Sequence, residues 1–169
     1  TSSTTTQLAL GDALAIVVMK YKKFGKLDFK KFHPSGNLGN KLKTAKDIML
    51  TKNKIPLVNE NLKMRNALKI LNAKKLGFLV VINNQNLNVG IFTDGDLKRL
   101  IQKKKIIDNI KIKNFMTKNP FVVEENMLAT DILAQMNKKK ITSACVYQKG
   151  NKRKTIGVLH IHNLLKILK

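Results

Sequence analysis

The chain has 169 residues, 43% of them hydrophobic, enough to bury a substantial core as one domain or two small ones. Its apolar runs stop at a handful of residues, and the opening TSSTTTQLALGD has neither a basic n-region nor a cleavage site, so the expectation is a soluble protein with no membrane partner. Lys and Arg number 33 against 10 Asp and Glu, a net charge of +23, yet the only arginines are Arg65, Arg99 and Arg153 and the lysines are scattered over every segment. The planar fork suited to phosphate and base edges is scarce, so the charge reads as compositional bias and no nucleic-acid partner is expected.

Residues 1–43 begin with hydroxyl side chains suited to capping, then run apolar on nearly all sides from Leu8 to Met19. That pattern predicts a helix meant to be buried between other elements. In DFKKFHPSGNLGNKL, His33 stands directly before Pro34, which pushes it out of helical geometry, while Gly36 and Gly39 allow close backbone approach.

From residue 44 the chain repeats. GIFTDGDLKRL at 90–100 returns as GVLHIHNLLKI at 157–167, and DIM at 47–49 answers NFM at 114–116, both 67 residues apart; ENLKMRNALKILNAKKLGFLVVI from Glu60 matches ENMLATDILAQMNKKKITSACVY from Glu125 at an offset of 65. Ends that keep register while two residues pass from one loop to another mark a duplicated supersecondary unit. Each unit reads β-α-β-β-α. A short extended piece (55–58; 121–123) leads to a helix carrying Leu62, Leu68, Ile70 and Leu71 in the first unit and Met127, Leu128, Ile132, Leu133 and Met136 in the second, with Asn126 available as N-cap. FLVVI and SACVY have the continuous apolar character of strands covered on both faces. Cys145, the single cysteine, therefore reads as a buried structural thiol, and a disulfide within the chain is excluded. Asn83-Asn84 and Gly150-Asn151 predict turns before strands at 87–92 and 154–159. The runs Lys103–Lys105 and Lys138–Lys140 follow amphipathic helices, where cations favour a C-terminus.

The phrase at 90–100 packs a Thr and two Asp between a strand and a helix. A carboxylate accepts two hydroxyls at once, and the N–H groups of a helix start favour phosphate, so Thr93 and Asp96 are candidate ligand residues. Asp94 or Asp96 also suits the cap of a helix beginning near residue 95, and the two roles can coexist. In the second unit His160 stands for Thr and Asn163 for Asp, which removes the carboxylate. His160 and His162 have no third partner nearby, so no metal site is expected.

Two tandem units ending in G-h-h-T-x-x-D before an amphipathic helix resemble a pair of CBS domains. The resemblance covers roughly residues 44–168. It implies an α/β (α+β) fold in which two pseudo-twofold related units form a disc, with a nucleotide bound through Thr93 and Asp96 and, in the second unit, His160 and Asn163. The order TSST, LALGDALA, HPSGNLGNKL, DIM, followed by two CBS units, is similar to the arabinose-5-phosphate isomerase family of the KpsF/KdsD type, in which residues 1–43 would end a sugar isomerase (SIS) domain, with CBS units at 44–107 and 108–169. HPSGNLG corresponds to that family's HPGGALG-like motif, with Ser35 for a Gly, so the resemblance makes His33 catalytic. The reaction interconverts ribulose 5-phosphate and arabinose 5-phosphate, entering Kdo and lipopolysaccharide biosynthesis. One histidine can move a proton but cannot hold the sugar phosphate, so this chain alone is expected to be inactive. The resemblance further implies a cytoplasmic homodimer or homotetramer, no required cofactor, and a nucleotide or nucleotide-sugar effector such as CMP-Kdo or an adenine nucleotide. A stand-alone CBS nucleotide-sensing module is the alternative.

Overall fold

The computed structural model describes residues 1–32, 35–102 and 109–168, and the chain divides into two compact units, 1–42 and 43–169. In the first, α1 (Ser2–Tyr21) opens with a reciprocal capping box between Thr1 and Thr4, followed by α2 (Lys26–Phe32) and α3 (Gly36–Lys41). No residue of α1 is buried: Leu8, Leu10, Leu14, Ile16 and Val17 all lie more than half exposed. Among the described residues no helix is long and apolar enough to cross a membrane.

The second unit runs α4 (Ala45–Ile48), β1 (Leu57–Asn59), α5 (Met64–Lys74), β2 (Phe78–Ile82), β3 (Asn88–Thr93), α6 (Asp94–Gln102), β4 (Thr117–Lys118), β5 (Val122–Glu124), α7 (Ala129–Lys139), β6 (Ser143–Tyr147), β7 (Thr155–His160) and α8 (Ile161–Leu168). In each repeat the central strand pairs in parallel with the short first strand and antiparallel with the third, giving the orders β1-β2-β3 and β5-β6-β7. β2 and β6 bury four of their five residues, as two-sided cover requires. The helices press one stripe each onto the sheets: Met64, Ala67 and Leu71 of α5, and Ala129, Ile132 and Met136 of α7. Leu62, Met127 and Leu128 precede these helices rather than lying on them.

The expected N-cap of α7, Asn126, is corrected. The cap position is Leu128, with no side-chain bond, because the Ala129 N–H donates to the Lys43 carbonyl at 2.8 Å and that first-turn donor needs no side chain. The third strands sit one residue later than predicted. Their turns form as expected: Asn83 Oδ1 accepts from the Gln85 and Leu87 amides, Asn86 is left-handed at φ 58°, and Gly150 has φ 90°.

The two repeats clasp each other by exchange. The segment leading into the second repeat becomes β4 and pairs with β3 of the first (Ile91 with Thr117), while Leu50, ahead of the first repeat, bridges Val158 of β7. These are mirror contacts, since 91 and 158, and 50 and 117, are each 67 apart. Met116 lies against Gly90 and Met49 against Gly157 in the same symmetric fashion; a Cβ on Gly90 would stand 2.6 Å from the Met116 sulfur. Between the sheets, Ile55, Phe78, Val80, Ile91, Cys145 and Val158 form a shared core. Cys145 is buried there, and desolvation pushes its thiol up to about 11.

Candidate functional site

The strand-to-helix turn of the first repeat is a closed polar knot. Asp96, 7% exposed, accepts at Oδ2 from the Thr93 amide and the Thr93 hydroxyl, both at 2.8 Å, and its own N–H donates back to Thr93 Oγ1 at 3.3 Å. This is a capping box that starts α6 at Asp94, with Thr93 in the N-cap role and Asp96 at the third helical position. Asp96 Oδ1 takes Arg99 Nη2 at 2.5 Å and the Thr117 hydroxyl, from the other repeat's exchanged strand, at 3.3 Å. The carboxylate is thereby fixed in one orientation with its charge matched. Asp94 is no cap; its amide donates to the Gly77 carbonyl at 3.0 Å.

This turn opens onto a cleft of about 1010 Å³ between the repeats. One wall is Gly77, Thr93, Asp94, Asp96 and Arg99. The other comes from the second repeat: Phe121, Lys139, Lys140, Thr142, Ser143 and His160. Lys139 and Lys140 end α7, with Lys140 left-handed at φ 53° as its C-cap, and the Lys139 ammonium lies 5.7 Å from the Phe121 ring centroid. The cleft thus offers the two carboxylates of Asp94 and Asp96, four hydroxyls counting that of Thr117, a helix N-terminus and three cations around an apolar floor of Ile91, Val122 and Ile141. Such a lining suits a molecule with hydroxyls at one end and negative charge at the other.

Thr93, Asp96 and His160 therefore come together. Asn163, in the first turn of α8, is half-buried and is not among the described residues lining the cleft. His160 is half-buried, its ring nearly parallel to Phe78 at 6.5 Å and 4.9 Å from His162; desolvation, and then the charge of His162, lower its pKa below the usual histidine value. His33 and Lys103–Lys105 lie outside the described residues. Sequence reasoning missed Arg99, Phe121, Lys139, Lys140 and Ser143 as cleft residues. Their local signal was helix end or strand start, and only the clasp of one repeat on the other brings them opposite Asp96.

The CBS domain family matches residues 45–103 and 112–169. The arabinose 5-phosphate isomerase KdsD of Francisella tularensis is 39% identical over 168 residues, 99% of this chain and 50% of the relative; that of Escherichia coli K12 is 38% identical over 167 residues, again half of the relative. The chain spans about half the length of the curated relatives it matches. Among solved structures, CBSX2 in complex with AMP superposes with a TM-score of 0.62 at 26% identity, covering 73% of this chain and 93% of that one. With the family match falling on both repeats and the same fold recurring in a solved CBS pair, the chain belongs to the CBS domain family.

Proposed function

We propose that this chain is the regulatory C-terminal half of an arabinose 5-phosphate isomerase and that its CBS pair binds a nucleotide or nucleotide-sugar effector in the cleft between the repeats. The observation that carries the reading is the alignment of 99% of the chain with half of such enzymes. On this reading residues 1–43 close the sugar isomerase domain, residues 44–107 and 108–169 are the two CBS units, and His33 is an acid or base of the isomerisation, in the cytoplasm. The exposed apolar face of α1 supports this over a stand-alone sensing module, because Leu8, Leu10 and Leu14 would be covered by the remainder of that domain.

At the cleft, Asp96 accepts ribose hydroxyls in place of the Arg99 and Thr117 donors at Oδ1. Thr93, the α6 N-terminus and the cations Arg99, Lys139 and Lys140 hold the phosphate side, with His160 facing them from the second repeat. Asn163 holds the mirror position without a carboxylate. The AMP bound by CBSX2 supports an adenine nucleotide as the first probe, and CMP-Kdo, a pathway product, as the second. The assembly is a homodimer or homotetramer.

A thermal-shift titration of the chain with AMP, CMP and CMP-Kdo tests the effector, since a ligand of the folded state raises Tm. A rise abolished by Asp96→Ala is the expected result; no rise with any of the three overturns it. In the full-length protein His33→Ala should abolish isomerisation while leaving the Tm in place, and the 169-residue chain should show none. Activity of the chain, or wild-type rates in that variant, would overturn the enzyme assignment.

A further inference from the structure

We infer that each chain holds a single ligand, under α6, and that the mirror position under α8 is filled by the protein's own side chains. The inference rests on the nucleotide reading above for its ligand, but its evidence is the break in symmetry between two repeats that share one element order and strand register.

Three differences coincide. Ser143, at the start of β6, lines the open cleft; its counterpart at the start of β2 is Phe78, which is 2% exposed and lies near-parallel to His160 at 9°. A hydroxyl wall on one side is an aromatic plug on the other. The leading segment is also longer in the first repeat: six residues lie between Leu50 and Leu57, but four between Thr117 and Val122. The extra length folds into a 3-10 turn at Lys52–Lys54, and the Lys74 ammonium donates to the Asn53 carbonyl of that turn. Lys74 is the counterpart of Lys139. The cation that lines the open cleft is, in the mirror position, bonded to the chain's own backbone and fastens the longer segment down. Finally Asn163 and Lys166 replace Asp96 and Arg99, so no carboxylate is left to accept two hydroxyls. Phe78 belongs to the shared core with Val80, Ile91 and Cys145, so the plug cannot swing aside without opening that core.

The plug can be transplanted. Calorimetric titration of the chain with AMP should give one site per chain. Ser143→Phe copies onto the open cleft what the first repeat already accommodates, and should weaken AMP by at least about tenfold while the folded state persists. Lys74→Ala, in the mirror position, should leave stoichiometry and affinity as they are. Two sites per chain, full affinity in Ser143→Phe, or loss of affinity in Lys74→Ala each overturns the inference. Absence of any heat with AMP would instead count against the nucleotide reading, and a ligand-free measurement then decides. In a Cys145→Val background, a cysteine placed by Thr117→Cys should react with fluorescein maleimide at least about tenfold faster than one placed by the mirror substitution Leu50→Cys. Equal rates would mean that the two positions are equally open and the inference fails.

Discussion

The two repeats trace one backbone twice and use it for different chemistry. Phe92 and Leu159 are counterparts, both fully buried; Gly90 and Gly157 are counterparts, each receiving a methionine from the other repeat. One turn later the correspondence ends. In the first repeat Thr93 and Asp96 tie the helix start into a capping box, whereas in the second the His162 amide donates weakly to His160 Nδ1 at 3.3 Å. The pseudo-twofold axis imposes equal constraints on the positions that hold the disc together and none on the surface each turn presents. Symmetry is therefore kept where the repeats clasp and lost where a ligand would be selected.

Substitutions at mirror positions turn this comparison into numbers. The largest effects belong to the shared scaffold: Phe92→Ala should cost about 3–5 kcal/mol and Leu159→Ala about 2–5 kcal/mol of unfolding free energy, read from urea titrations. If either variant stays within about 1 kcal/mol of wild type, the core of that repeat is not holding the fold.

Next is Cys145, whose counterpart in β2 is Val80. A thiol ionising at 9.0 when unfolded and at about 11 when folded contributes stability that is complete below pH 9 and lost as pH rises to 11. Two pKa units correspond to about 2–3 kcal/mol. Cys145→Val copies the first repeat, should cost little at pH 7, and should remove that part of the alkaline loss. An identical alkaline slope in the two proteins would show that the thiolate is not excluded from the core.

The clasp itself separates the repeats more finely. A Cβ at Gly90 meets the Thr117 carbonyl at 2.9 Å as well as the Met116 side chain, and backbone cannot swing away; at Gly157 the nearest atoms are all of the Met49 side chain. Gly90→Ala should accordingly destabilise by about 1–3 kcal/mol, with Gly157→Ala well below it. The reverse order would mean that β4 shifts more easily than Met49 rotates.

The repeat register carries most of this architecture in the sequence itself, because hydrophobic periodicity and loop length are local and doubled signals reinforce each other. What stayed hidden was set by tertiary geometry. Thr117–Lys118 is too short and polar to announce a strand, and becomes one only because β3 offers it an open edge. Lys139 and Lys140 look like any helix C-terminus in sequence. Thr93 and Asp96 are legible in the sequence as a pair that suits a cap or a ligand site; the structure shows the cap, on Asp96 Oδ2, and turns the other oxygen, Oδ1, to Arg99 and Thr117 across the clasp.

Asp96 sharpens that point. Asp96→Ala removes the capping box and should lower stability by about 0.5–2 kcal/mol, while Asn163→Ala, with no such bond to lose, should stay within about 0.5 kcal/mol. The same Asp96→Ala should cost about 1.5–3 kcal/mol of AMP affinity. A lowered Tm with untouched affinity would make Asp96 a cap alone and place the ligand elsewhere in the cleft.

The smallest expected effect is at His160, which stands where the first repeat has the non-titrating Thr93. Burial against Phe78, then the neighbouring charge of His162, depress its folded pKa below 6.5, so the folded protein holds this ring neutral while the unfolded chain protonates first as pH falls. Stability should be full above pH 6.5, decline as pH drops from there through the lower folded value, and decline no further on this account once both states are protonated. The ring is only half-buried, so solvent screens much of the penalty and the shift in urea midpoint should be modest. His160→Thr copies the first repeat and should flatten this acid slope; His162→Ala, which removes the secondary cause, should flatten only part of it. Equal loss between pH 7 and pH 5 in wild type and His160→Thr would show that the protonated ring is accommodated in the cleft, and that this break in symmetry has no electrostatic cost.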